Sequence, residues 1–275
     1  MVWLVQYQNG TRIIVKGFLK KDVIWKQIET SMNTSVSFIQ FIPFSDGDWV
    51  KESDGVYFAC MKFESGRALN FSRREERQLA FEKIAHFHQE TEGFDSKFIP
   101  RISLKHKWMN RFIRFQQSIQ SSLFCSEHNK LIQRYVETGR EVLAKMSFLD
   151  ELEISAFHHK RIVHGDPAHH NFIFHCNNLR LIDGDLLTYG PHEYDFLQLI
   201  IRMLPYCDWS LDEWMAFEIP PLKHCLTNPS LRRLLAYPAD FYREWLVDPD
   251  GRELLLRQTG QQDELRSKFM WRMLQ

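Results

Sequence analysis

The sequence predicts an α+β protein, with a small β-rich N-terminal part over residues 1–66 and a larger helical part over residues 67–275. Three observations carry this expectation. Two β-branched and aromatic runs, Val2 to Gln6 and Arg12 to Lys16, flank Asn9-Gly10, the strongest short-range hairpin signal. Two more strand-like runs, Ser37 to Phe44 and Tyr57 to Phe63, are separated by the turn-rich Asp46-Gly47-Asp48 and Ser53-Asp54-Gly55. Beyond Ser72, apolar residues recur at helical spacing.

Composition narrows the function classes. The chain has 275 residues, 44% hydrophobic and 25% charged, enough for two domains or one domain in two parts, and this excludes disorder as the dominant state. Thirty-five Lys and Arg balance thirty-five Asp and Glu, so no global charge draws the protein to nucleic acid or to an anionic membrane. The five cysteines, Cys60, Cys125, Cys176, Cys207 and Cys225, form no C-x-x-C pair, which argues for a reducing compartment over a disulfide framework or zinc ribbon. Met1 to Gly10 has no basic region and turns polar at Gln6, unlike a secretory signal. The most apolar stretch, Phe196 to Leu204, is interrupted by Gln198 and Arg202 and falls well short of the roughly 20 residues a bilayer demands. A soluble, cytoplasmic protein is expected.

Taken in order, the remaining elements follow from spacing and punctuation. Val23, Ile24, Gln27 and Ile28 predict a short helix over about Asp22 to Met32. Ser72-Arg73-Arg74-Glu75 reads as a capping box opening a helix with Phe81, Ile84, Ala85 and His88 on one side, stopped by Gly93. Helical stretches follow over about Lys105 to Phe124 and Glu127 to Ser147, the second with a stripe of Ile132, Tyr135, Val136, Leu143 and Met146. Residues 192–204 are apolar nearly all round and predict a buried core helix. From Asp208 the chain is again helical, punctuated by Pro220-Pro221, Pro229, Pro238 and Pro249, and no internal repeat appears.

One segment carries chemistry. Ile162-Val163, Phe172-Ile173-Phe174 and Leu181-Ile182 are short strand-like runs, and each delivers polar residues to a loop. Asp166 and Asn171 lie five positions apart, and Asp183 follows a tiny hairpin twelve positions later. Phosphoryl transfer from ATP needs such a set, because its loose transition state is served mainly by positioning and by magnesium bridging the phosphates. Magnesium prefers oxygen ligands and takes one or two carboxylates besides phosphates and water. Asn171 and Asp183 would supply those oxygens, and Asp166 would orient the acceptor hydroxyl and accept its proton.

These residues resemble the aminoglycoside-phosphotransferase and choline-kinase branch of the protein-kinase-like fold. The branch's signature is H-G-D-x-x-x-x-N followed by I-D-x-D, and here His164-Gly165-Asp166, Asn171 and Ile182-Asp183-Gly184-Asp185 stand in that order and spacing. Within the branch the chain looks most like CotS-type spore-coat kinase-like proteins, through Ile42-Pro43 with Asp46-Gly47, Ser65-Gly66-Arg67, Ala85 with His88, and Tyr237-Pro238 with Phe241-Tyr242. The resemblance implies a bilobal protein-kinase-like fold binding ATP and Mg2+, with a small-molecule acceptor and, through its spore-coat members, spore-coat proteins as candidate partners. It implies that Lys16 meets the α- and β-phosphates, that Glu29 on the next helix pairs with Lys16, and that Met61 and Phe63 lie where adenine binds. Asn171 and Asp183 would hold the metal, and Asp195 matches a recurrent structural acid. The chain begins at what the family would count as its second strand, so the N-terminal lobe is expected to be shortened and without a Gly-rich loop over the phosphates.

Plainer readings stand beside these. Asp166, Asn171 and Asp183 have the alternative of turn-capping residues in unrelated loops, Lys16 that of a solvated strand end, and Glu29 that of an exposed helix residue. His158, His159, His164, His169, His170 and His175 lack the paired spacing of a zinc site, and the basic run from Arg101 to Arg114 reads as a solvated helix face. Asp208, Asp212 and Glu213 could wall a cationic acceptor or be ordinary exposed acids. Two functions follow: an ATP- and Mg2+-dependent phosphotransferase acting on a small-molecule hydroxyl, or a catalytically weak kinase-like structural protein of the spore coat. A protein-directed kinase is disfavoured, since Gly190-Pro191-His192-Glu193 stands where A-P-E would be sought.

Overall fold

Alternating side chains build the first sheet. In the computed structural model, which describes residues 1–119 and 126–275, β1 (Val2–Gln6) pairs antiparallel with β2 (Arg12–Phe18), Gln6 opposite Arg12 and Val2 opposite Lys16. Asn9-Gly10 sits at the tip, where Thr11 N donates to Asn9 Oδ1 at 3.0 Å. Helix α1 (Lys21–Asn33) follows, and then β3 (Phe41–Ile42), β4 (Lys51–Ser53) and β5 (Val56–Lys62). The sheet order is β1-β2-β5-β3, with β4 also on β5 and Ile14 opposite Met61. Ile14 and Lys16 therefore share one face of β2.

The strand expected over Ser37 to Phe44 is confined to Phe41–Ile42, because the residues before it pair elsewhere. Ile39 N donates to Leu181 O at 2.8 Å and Leu181 N to Ser37 O at 2.7 Å. Those backbone groups are taken up by a second, three-stranded sheet of β6 (Arg67–Ala68), β8 (Phe172–His175) and β9 (Asn178–Leu181). Between β6 and β8 the chain runs through α2 (Arg74–Thr91) and β7 (Ile162–Val163), and β7 pairs with β10 (Thr188–Tyr189).

The capping box expected at Ser72 is displaced. Arg73 occupies the N-cap without a side-chain bond, and Ser72 Oγ donates instead to Asn70 Oδ1 at 2.7 Å. Glu76, not Glu75, reaches back, accepting from Asn70 N at 2.7 Å and from both terminal nitrogens of Arg67 at 2.7 and 2.8 Å. The buried face of α2 carries Ala80, Phe81, Ile84, Phe87 and His88.

The chain forms two compact units, Met1–Arg101 with Ala156–Asp195 and Ile102–Ser155 with Phe196–Gln275. The first holds all three sheets with α1 and α2. The second is helical: α3 (Leu104–Ile119), α4 (Ser126–Ala144), the greater part of α5 (Phe148–His158) and α6 (Glu193–Met203), then α7 (Asp212–Met215) to α12 (Asp263–Leu274). Between these last two lie α8 (Pro220–Thr227), α9 (Pro229–Leu234), α10 (Ala239–Val247) and α11 (Arg252–Gln261). The expected helix from Lys105 ends its described course at Ile119; its continuation to Phe124, and Cys125, lie outside the described residues.

An aromatic core fills this unit. Trp108 and Tyr237 stack with centroids 4.4 Å apart, and Tyr237 Oη donates to Trp108 O at 2.7 Å. Tyr242 Oη donates to Tyr135 O at 2.5 Å, and the buried Arg266 donates to Asp240 Oδ1 at 2.6 Å. The basic run is partly internal here, with Lys105 on Asp150 at 2.5 Å and Arg111 on Ala239 O at 3.2 Å. Among the described residues, no helix is long and apolar enough to cross a membrane.

Candidate active site

The site is assembled within the first unit, around β7 and the β8–β9 hairpin. Ile162 and Val163 are buried, and the turn that follows them hangs on a single carboxylate. Asp195, with no exposed surface, accepts from His164 N at 2.7 Å, Gly165 N at 2.9 Å and His88 Nε2 at 2.9 Å. Burial by itself would raise its pKa, but the bond from His88 and the charge of the neighbouring histidines hold it below the usual carboxylate range. The ring of His192 stacks on His88 at 3.9 Å, and burial pushes the His192 pKa down to about 2, so that ring is neutral. Gly165 has φ +80°, and a Cβ there would sit 2.5 Å from Leu186 O, so the turn requires glycine.

Asp166 and Asn171 meet directly. Asn171 is buried and donates through Nδ2 to Asp166 O at 2.9 Å, with Asp166 Oδ2 3.5 Å away. The backbone of Ile182 then binds the whole segment together: its N–H donates to Asn171 O at 2.9 Å, and its carbonyl meets His164 Nε2 at 3.0 Å. The next residue, Asp183, is thereby placed beside the His164–Asn171 loop in a left-handed conformation, φ +64°. Asp tolerates that region better than most residues with a Cβ.

Lys16 comes to the same place from β2. Its Nζ lies 2.7 Å from Asp183 Oδ1 and 2.9 Å from Asp185 Oδ1. Partial burial would raise the Asp183 pKa, but the bond to Lys16 and its positive charge bring it below the usual range. Glu29 is not the partner of Lys16; its carboxylate accepts from Ser96 Oγ at 2.5 Å. The reason is helical phase. Glu29 is two residues, or about 200°, round α1 from Gln27, and it is Gln27 that faces the loop, donating to Asp185 Oδ1 at 2.8 Å and accepting from Gly184 N at 3.1 Å.

Three participants escape the sequence reading: Asp185 as the second partner of Lys16, and Lys26 and Gln27 on α1. Lys26 Nζ donates to Asp185 O at 2.6 Å and Leu187 O at 3.0 Å, and burial pushes its pKa down to about 8 against the pull of Asp185. The available signal is Gln27 itself, a polar residue on the stripe otherwise made by Ile24 and Ile28.

A cavity of about 320 Å³ adjoins these groups. Its walls are largely apolar, with Ile14, Met61 and Phe63 from the first sheet and its edge and Ile173 and Ile182 from the second and its edge; Lys16, Gln27, Lys62, Glu64 and Asp183 form its polar part. The Arg12 guanidinium lies over the Phe63 ring at 4.2 Å. Such a chamber suits a small, largely apolar group with a polar end. The donor set also suits a hard cation. Asn171 spends its Nδ2 on Asp166, so its Oδ1 and the Asp183 carboxylate are the oxygens that would hold such an ion. Among the described residues, no group of three or more His, Cys, Asp or Glu is placed to hold a metal ion.

The chain matches the sequence profile of the phosphotransferase enzyme family (APH) over residues 52–217. It is similar to the solved aminoglycoside phosphotransferase from Alicyclobacillus acidocaldarius subsp. acidocaldarius DSM 446, with TM-score 0.74 and 17% identity over 99% of this chain and 89% of that one. The amicoumacin kinase solved with AMP-PNP, Ca2+ and Ami gives TM-score 0.64 and 16% identity over 97% and 85% of the two chains. The spectinomycin phosphotransferase solved with ADP and spectinomycin gives 0.59 and 10% over 98% and 88%. Likeness at such low identity shows a shared kinase-like α+β fold. No curated protein matches the chain by sequence.

Proposed function

The chain belongs to the phosphotransferase enzyme family, and from that premise we propose that it is an ATP- and Mg2+-dependent kinase acting on the hydroxyl of a small molecule. One observation carries the reading: Lys16, Asp183 and the Asp166–Asn171 pair belong to one hydrogen-bonded assembly next to an apolar cavity. The adenine would occupy the cavity near Met61 and Phe63, and the triphosphate would run toward Lys16. Asn171 and Asp183 would hold Mg2+, which, when bound, neutralises charge on the phosphates. The Lys16 ammonium would turn from the two carboxylates to the α- and β-phosphate oxygens. Asp166, its backbone carbonyl anchored by Asn171, would orient the acceptor hydroxyl and take its proton as the acceptor oxygen bonds to the γ-phosphorus and the bond from that phosphorus to the β,γ-bridging oxygen breaks, with ADP leaving.

One neighbouring structure was solved with ADP and spectinomycin, and this supports a small-molecule acceptor here. The finer likeness to CotS-type spore-coat proteins is part of the proposal and rests on the stretches around Ile42-Pro43, Ser65-Gly66-Arg67 and Tyr237-Pro238. The test is labelled ATP with Mg2+ and a panel of hydroxyl and amino-alcohol acceptors, run on wild type and Asp166→Ala. Turnover in the wild type that the substitution abolishes, with the fold intact, supports the reading. Turnover that survives Asp166→Ala rejects the role of Asp166. ATP–Mg2+ binding without turnover on any acceptor moves the chain to the alternative, a catalytically weak structural protein.

A further inference from the structure

Lys26 and Gln27 are consecutive on α1, and their side chains are almost fully buried, at 4% and 1% exposure. Buried polar groups persist where they are hydrogen-bonded, and apart from a bond from Gln27 Nε2 to Val23 O at 3.0 Å within α1 the side-chain bonds of these two go to one short segment. Lys26 Nζ takes the carbonyls of Asp185 and Leu187, while Gln27 takes the Asp185 carboxylate and the Gly184 N–H. The four bonds span residues 184–187, beginning immediately after Asp183. The contact is close: a Cβ on Gly184 would lie 2.6 Å from Leu187 Cδ1, 2.8 Å from Phe38 Cζ and 3.0 Å from Gln27 Cγ.

The opposite side of α1 is held as well, by Glu29 on Ser96 and by Trp25 stacked on Phe98 with centroids 6.0 Å apart. A buried ammonium is seldom the most stabilising filling for such a position, since an apolar side chain of similar volume usually serves stability as well or better. What the pair supplies is placement. Asp185 Oδ1 receives Gln27 at 2.8 Å and Lys16 at 2.9 Å, so the helix sets the carboxylate that Lys16 meets, although no acidic residue of α1 reaches Lys16.

Resting on the phosphotransferase reading above, we infer that Lys26 and Gln27 are positioning residues for the metal ligand Asp183. They bind the Gly184–Leu187 segment to α1 and so preset the Asp183 carboxylate for the Mg2+ of the nucleotide complex. Lys26 does not line the cavity and acts through the loop; Gln27 holds the loop and also lines the cavity.

The test is a Mg2+ titration at fixed AMP-PNP by isothermal calorimetry, on the full chain as wild type, Lys26→Met and Gln27→Met. Metal-free AMP-PNP affinity and Tm are measured alongside. The half-saturating Mg2+ concentration is expected to rise about ten-fold or more in each variant, with metal-free AMP-PNP affinity unchanged in Lys26→Met, whose side chain lies outside the cavity lining. Ile28→Val, a core change on the same helix, is the structural control; it lowers Tm and leaves the Mg2+ titration in place. If both variants take up Mg2+ as the wild type does, the inference is overturned and the phosphotransferase reading stands. A parallel loss of metal-free and metal-dependent binding in Lys26→Met also overturns it, because that is general loss of structure. If the wild type itself shows no Mg2+-dependent AMP-PNP binding, the phosphotransferase reading falls and takes this inference with it. Should Lys26→Met not fold, Gln27→Met, which keeps both bonds of the ammonium, carries the test through its half-saturating Mg2+ concentration read at an AMP-PNP concentration scaled to its own metal-free affinity, and an unchanged value there overturns the inference.

Discussion

Lys16 Nζ donates to Asp183 Oδ1 at 2.7 Å, joining a strand near the N-terminus to a loop 167 residues further along the chain. The same ammonium meets Asp185 at 2.9 Å, so two carboxylates on one loop share one cation. Lys16→Met leaves those like charges facing each other and, on the proposed function, removes the lysine that would meet the phosphates. Turnover is expected to fall by about 10²–10³, the scale for removing one donor that stabilises developing charge. Steady-state kinetics beside an ATP titration checks this, and wild-type turnover in the variant would remove Lys16 from the site. Asp183→Asn is the companion: asparagine also tolerates φ +64°, so Tm is expected to hold while Mg2+-dependent turnover is lost.

Asp195 concentrates three donors on one buried carboxylate, including the N–H groups of His164 and Gly165 just ahead of Asp166. Asp195→Ala leaves those donors unpaired. Breaking a buried charged network costs about 3–5 kcal/mol, and the expected result is a Tm lower by several degrees with the His164–Asn171 loop displaced. Differential scanning calorimetry and turnover by the surviving folded fraction test both halves. A variant as stable as the wild type would mean that the carboxylate adds nothing to this turn.

Glu90 gives a pH dependence with a defined sign. Burial would raise its pKa, but Ser35 and Ser37 with their neighbouring backbone N–H groups bring it down to about 2. Its oxygens accept from Ser35 N and Oγ, Val36 N and Ser37 N, anchoring the residues just before Phe38. A carboxylate with a depressed folded-state pKa contributes stability that is complete above its unfolded value, about 4.5, and is lost as pH falls through about 2. Glu90→Gln is expected to lower Tm at neutral pH and to flatten the decline of Tm between those limits. Thermal melts over that acid range decide it, and parallel curves for the two proteins would refute the assignment.

The elements that the sequence displays well are those whose cause is local. Asn9-Gly10 marks the hairpin tip because a tight turn is chosen within a few residues. The loop carrying His164, Asp166 and Asn171 is legible because short strand-like runs bracket it and the motif spacing is short. The displaced cap of α2 shows where local reading fails: Ser72 turned to Asn70, and Arg67 and Asn70 drew Glu76 back instead of Glu75. Ser37 to Phe44 has the composition of one strand, yet it divides between two sheets because Leu181 takes its first backbone groups.

By itself the sequence determined the α+β class, the hairpin, the main helices and a candidate site made of residues close together along the chain. Only the tertiary structure decided which distant side chains meet: Lys16 with Asp183 and Asp185, Gln27 with Asp185, and Glu29 with Ser96. The physical reason is rotation and register. A helix turns about 100° per residue, so which of Gln27 and Glu29 faces the loop is settled by how Ile24 and Ile28 pack beneath α1, and that packing joins parts of the chain more than a hundred residues apart.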